Sequence, residues 1–141
     1  MMVAALDVGT RRIGVAISDP MGTFAFPLRV IERTNSRDDV RCVVRILDEY
    51  ACNEVVVGDP LTLDGKRGPA TEKIDVFVNA LARAFSGIIH RVDERLTTAA
   101  ATKTLIRADL SRSKRKKVID KTAAALILET FLARRRLSSE R

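Results

Sequence analysis

The stretch that decides the fold is Ala4-Ala5-Leu6-Asp7-Val8-Gly9-Thr10-Arg11-Arg12-Ile13-Gly14-Val15-Ala16-Ile17-Ser18-Asp19. Two apolar runs, Val3 to Val8 and Ile13 to Ile17, flank a short polar segment with a glycine. That pattern predicts a β-hairpin. Asp7 stands inside the first run, where a carboxylate is costly unless paired, hydrogen-bonded or bound to a metal. Gly9 and Thr10 follow at once, and a residue without a side chain lets a phosphate or hydrated ion approach the backbone. A turn-capping role for Asp7 is the competing reading.

Working outward, Thr23 to Ile31 reads as a third strand, with Pro27 marking an edge position. Strands joined this tightly run antiparallel. Ser36-Arg37-Asp38-Asp39 resembles a capping box, and Val40, Val43, Val44 and Leu47 continue it as an apolar helical stripe. Glu54-Val55-Val56-Val57-Gly58 is a β-branched run suited to a buried parallel strand. A turn-rich loop from Asp59 to Gly68 leads to Pro69, which suits the first position of a helix. Ile74, Phe77, Val78, Leu81 and Phe85 give that helix its buried face. Ile88 to Val92 is a fifth strand, and it leads into Asp93-Glu94-Arg95. Thr97 can cap a following helix, Thr98 to about Ala108.

Asp109 to Lys117 is poor in apolar residues and strongly basic, which predicts a mobile loop at about 109–117. A final helix is expected from about Val118 to Arg135, with Ala123, Ala124, Ile127, Leu128 and Phe131 inward. Asp120 shares that face by its spacing from Ala124 and Ile127. The expected fold class is therefore α/β. A five-stranded mixed sheet, three antiparallel strands followed by two parallel ones with the first strand central, is flanked by helices.

At 141 residues the chain suits one domain, 1–141, with a core that needs no staples. Cys42, Cys52 and the single His90 do not make a structural zinc site, so reduced thiols are expected. His90 reads as a surface-facing strand residue. No apolar run is long enough to span a membrane and no signal-like N-terminus is present, which predicts a cytoplasmic protein without membrane contact. The net charge is +7. Residues 1–94 hold 12 Lys and Arg against 14 Asp and Glu, whereas 95–141 hold 13 against 4. The excess positive charge therefore lies in the last third, and it points to a polyanion, nucleic acid first. A solvated basic tail is the plainer alternative.

Asp7, Glu94 and Asp120 each fall at an element end. If the first and last parallel strands are close neighbours, the three can converge. Converging carboxylates repel unless a cation lies among them, and hard oxygen donors suit Mg²⁺ or Mn²⁺. One or two such ions would activate water against a phosphodiester. Each acid also has a plainer reading: Glu94 as a surface partner of Arg91 or Arg95, and Asp120 as a favourable charge at a helix N-terminus.

Several motifs stand in order: Leu6 to Ala16, Val57-Gly58-Asp59-Pro60-Leu61, Gly65 with Gly68-Pro69, Asp93-Glu94-Arg95-Leu96-Thr97-Thr98, and Ile119-Asp120-Lys121-Thr122-Ala123-Ala124. Together they resemble the YqgF (RuvX) family. The resemblance implies a ribonuclease H-like fold and a metal-dependent nuclease with Asp7, Glu94 and Asp120 as metal ligands. It implies maturation of the 5′ end of pre-16S rRNA or, alternatively, resolution of Holliday junctions. Structured RNA is the favoured partner and branched DNA the second, with the protein a monomer or weak homodimer. Thr10, Arg12 and Thr97 are expected to orient phosphate, and Arg112, Lys114, Arg115, Lys116 and Lys117 to hold the backbone of the nucleic acid. Asp59, where many relatives have another residue before the Pro-Leu pair, is read as a loop-surface residue in preference to a fourth acid near the site. Asp-x-Gly-Thr also occurs in the sugar kinase, Hsp70 and actin ATPases, but those need two lobes. A non-catalytic nucleic-acid-binding module is the stronger rival, yet it has no need of three converging acids.

Overall fold

A computed structural model describes residues 2–60, 64–94 and 112–139, the side chains of 112–122 excepted. The hairpin forms as expected. Strands β1 (Val3–Val8) and β2 (Arg12–Ser18) pair antiparallel, with Asp7 opposite Gly14. β3 (Ala25–Glu32) continues the meander at the sheet edge, and Pro27 sits beside a register shift at Val15/Ala16. The missing N–H of a proline is harmless there. β4 (Glu54–Asp59) pairs parallel with β1, and β5 (Ile88–Asp93) parallel with β4. The order is β3-β2-β1-β4-β5, so the Asp7 strand is central.

Helices α1 (Ser36–Glu49) and α2 (Pro69–Ala84) cover one face, and α3 (Arg112–Ser139) covers the other. The period of two along β1 divides its residues between them. Ala4 and Leu6 join Val43, Leu47, Phe77 and Leu81 in one core. Val3 and Ala5 join Val56, Val92, Ala124, Ile127 and Leu128 in the other. Asp7 continues the second series, and at 3% exposure it is buried.

Three local readings are corrected. The cap of α1 is Asn35 rather than Ser36, its side chain accepting from the Asp38 N–H. Asp39 turns away from the helix to accept from the Thr34 N–H and from Arg33, so the boxed spacing was occupied by a different set of bonds. In the first core Ile46 is buried while Val44 is only half-buried. The last helix begins at Arg112, so the basic residues 112–117 have helical backbone instead of belonging to a loop. Lys and Arg are good helix formers, and low apolar content alone does not stop a helix that is anchored further along. Residues 109–111 and the helix expected at 98–108 lie outside the described residues.

The direction of α3 is set by two contacts. Ile127 abuts Gly58 near the carboxyl end of β4. Arg135 donates two hydrogen bonds to Glu54 at its amino end. α3 therefore runs antiparallel to β4, with its N-terminal half towards the carboxyl edge of the parallel strands. Glu54 also bonds His90 Nε2 at 2.9 Å, and the rings of His90 and Phe131 lie 4.7 Å apart. His90 is thus half-buried in a clamp between helix and sheet, where it was expected to face solvent. Cys42 and Cys52 are both free, and burial pushes the Cys52 thiol up, as befits a core residue. Among the described residues no helix is long and apolar enough to cross a membrane.

Candidate active site

Ligands of open parallel sheets collect beyond the carboxyl ends of the strands. There, Asp7, Val8, Gly9, Thr10, Arg33, Pro60, Ala70, Lys73, Ile74 and Glu94 surround a cavity of about 300 Å³. Asp7 comes from the central strand, and Glu94 directly follows the last one. Between them β4 contributes Gly58, which stands in the strand beside Leu6–Asp7 and opposite Val92. A Cβ on Gly58 would lie 2.8 Å from Glu94 Oε1 and 2.7 Å from Ile127 Cδ1. The absent methyl thus makes room for the second carboxylate above the α3-covered core.

The turn that carries Thr10 is held from below. Gly9 N–H donates to Arg12 O at 2.8 Å, so the loop is tight. Arg33, just past β3, donates from Nη1 to Gly9 O at 2.9 Å and from Nε to Asp39 at 3.0 Å. Its guanidinium also lies 5.6 Å from the Phe77 ring centroid. With Asp39 at 2% exposure this ion pair is buried at the acid end, and it locks the turn to the start of α1. On the other side Thr71, fully buried, donates to Pro60 O at 3.2 Å and ties α2 to the exit of β4.

Of the residues expected from sequence, Asp7, Thr10 and Glu94 come together in one cavity. Arg12 does not: it forms a cross-strand ion pair with Glu32 at 3.0 Å and lies outside the cavity lining. Thr97 lies outside the described residues. Asp120 belongs to α3, seven residues before Ile127, which is about 10 Å along the axis towards the carboxyl edge. Its side chain, like those of Arg112, Lys114, Arg115, Lys116 and Lys117, lies outside the description. Asp59 is corrected. It is the last residue of β4, buried, and ion-paired with Arg91, which also bonds Asp75 of α2 at 3.1 Å. Strand pairing with β5 extends one residue further than the Val-Val-Val-Gly run suggested, and it draws Asp59 inward. Arg33 and Lys73 line the cavity without having been singled out in the sequence. No local motif marks them, because their elements meet the first turn only in the folded chain.

The donor set fits a hard divalent cation. Two carboxylates line one cavity, and the glycine beside them leaves Glu94 its position. Among the described residues no group of three possible ligands occurs, so any third ligand must come from elsewhere.

A family model described as "RuvX: Holliday junction resolvase" matches residues 1–134. The chain belongs to the RuvX family. A Desulforudis audaxviator protein is 45% identical to this RuvX chain over 136 residues, 96% of each. A Thermoanaerobacter pseudethanolicus protein is 47% identical over 133 residues, 94% of this chain and 96% of its own. Both carry the name "Putative pre-16S rRNA nuclease". The RuvX fold is shared with RuvC of T. thermophilus in complex with a Holliday junction substrate, at a TM-score of 0.61, 16% identity and 96% coverage of both chains. A second Thermus thermophilus RuvC structure gives a TM-score of 0.59 at 15% identity, again over 96% of both. The architecture is therefore ribonuclease H-like, as the motifs implied.

Proposed function

We propose that this RuvX chain is a divalent-metal-dependent nuclease that hydrolyses phosphodiester bonds in the 5′-end maturation of pre-16S rRNA. The observation that carries the reading is the pair Asp7 and Glu94 on one cavity wall, with cationic Lys73 on the rim. A pure nucleic-acid binder would gain nothing from a buried carboxylate there, since it repels phosphate in the absence of metal. The names of the relatives favour rRNA. The description of the family model favours the second reading, cleavage of branched DNA.

In this reading Asp7 and Glu94 hold Mg²⁺ or Mn²⁺, and Asp120 is the third ligand. Asp120 is supported by its position on α3 towards the carboxyl edge and by its spacing from the buried Ala124 and Ile127. The chemistry such an ion supplies when bound is an acidified water and neutralised charge at the phosphate. Asp7 is paired with Gly14 and directly follows Leu6, which pairs with Val57, so its carboxylate is pre-positioned and loses little freedom on ligation. Thr10 offers a hydroxyl to a phosphate oxygen, and Arg33 keeps the Thr10 turn in place. Arg112, Lys114, Arg115, Lys116 and Lys117 hold the polyanion outside the cavity. Thr97 and Arg12 are weaker candidates for the same task.

The test is purified protein with Mg²⁺ or Mn²⁺, offered precursor rRNA 5′ ends, unstructured strands and four-way DNA junctions. Wild type is expected to cleave the precursor RNA. Asp7→Asn should abolish cleavage and leave substrate affinity intact or improved, because it removes a metal-binding charge while keeping the side chain's shape. Cleavage at the wild-type rate by Asp7→Asn overturns the site. Cleavage confined to junctions moves the substrate to the second reading.

A further inference from the structure

We propose that Lys73 forms a phosphate-holding subsite beside the acid pair, over which the substrate strand leaves towards the start of α1. The inference rests on the nuclease reading for its direction, but not for its binding chemistry. The acid cavity adjoins a second one of about 470 Å³, whose lining includes Arg11, Glu32 and Asp39. Thr10, Arg33 and Lys73 line both. These three residues therefore mark the passage between the two spaces.

Only one of the two cations at that passage is available to a ligand. Arg33 is committed to Asp39, to Gly9 O and to the Phe77 ring. Lys73 is exposed, and among the described residues it makes no ion pair or hydrogen bond. An ammonium on a flexible stem suits a phosphate as a point charge with three donors. Ala70, in the first turn of α2, lines the acid cavity on the same side and brings the positive end of that helix to its wall. Across the passage, Arg11 is exposed on the second cavity and adds like charge. A polyanionic strand held at the acids thus meets Lys73 first and Arg11 next.

The experiment measures affinity against salt, in chelator, for a labelled single-stranded RNA of about 20 nucleotides. Wild type, Lys73→Gln and Lys73→Arg are compared. Loss of one phosphate contact reduces the slope of log K against log salt by about 0.7 on single strands. Lys73→Gln should show that reduction and bind several-fold more weakly at low salt, with the thermal midpoint unchanged. Lys73→Arg should restore both. With metal present, Lys73→Gln should raise KM and leave kcat near wild type. An unchanged salt slope overturns the subsite, and so does a loss of kcat at unchanged KM. Failure of wild type to cleave any substrate with metal overturns the nuclease reading alone, since the slope in chelator still decides whether Lys73 binds phosphate.

Discussion

Gly58→Ala tests the geometry of the site without touching a carboxylate. The added methyl would stand 2.7 Å from Ile127 Cδ1, 2.8 Å from Glu94 Oε1 and 3.1 Å from Glu94 Cγ. Ordinary contact needs about 3.5–4.0 Å, so each neighbour must yield by roughly 0.5–1 Å. Ile127 is fully buried among Val56, Ala124 and Leu128 and has little room to move. Glu94 borders the cavity and is the side chain that gives way. Overpacking of this kind costs about 1–3 kcal/mol, while removing a glycine from the unfolded chain returns about 0.4–1 kcal/mol. A net loss of up to about 2.5 kcal/mol in urea unfolding follows. Cleavage should suffer more than stability, because a 1 Å misplacement at reacting groups costs about a hundredfold. The two effects separate in the double variant Gly58→Ala, Ile127→Val, which deletes the clashing Cδ1. Stability should recover there and cleavage should not. Wild-type cleavage by Gly58→Ala, or recovery of cleavage in the double variant, would refute the placement of Glu94 in the site.

Two further outcomes are expected. The Arg135 hydrogen bonds, supported by His90, hold the Glu54 carboxyl down to about 2 against the opposing effect of burial. A depressed carboxyl contributes stability that is present above its unfolded pKa near 4.5 and is lost as pH falls towards 2. With Arg135 half-exposed and screened by solvent, that contribution is at most about 1 kcal/mol. Arg135→Gln should therefore flatten the acid limb of stability between pH 5 and 2 in thermal melts. Replacing three of Arg112, Lys114, Arg115, Lys116 and Lys117 by glutamine should weaken nucleic-acid binding at low salt and reduce its salt slope by about 0.7–0.9 per lost contact. Sequence preference should stay unchanged, because phosphate contacts carry no base information. An unaltered slope would mean that these residues are only solvated.

Element order and the inward faces of the central strands are legible in the local pattern, whereas the start of α3, the burial of Asp59 and the setting of His90 are not. The apolar run Val3–Val8 put Asp7 inside a buried strand, and the Val55–Val57 run demanded a doubly covered parallel strand. The positions of Asp7 and Glu94 at strand ends follow from element boundaries, whereas the insertion of β4 between the two strands that carry them does not. Those signals are local: they depend on the period of two or 3.6 and on turn chemistry within a few residues. What reaches the site from elsewhere in the chain depends on long-range packing. Arg33 meets Gly9 across 24 positions because β3 returns antiparallel to β2 and delivers the chain to α1 beside the first turn. Lys73 arrives because α2 packs on the α1 side of the sheet and starts at its carboxyl edge. Asp59 and Arg91 pair because β4 and β5 remain in register to Asp59–Asp93. Each of these depends on which elements are neighbours and how far a ladder extends. Long-range packing sets both, and the pattern of any single segment carries no record of it.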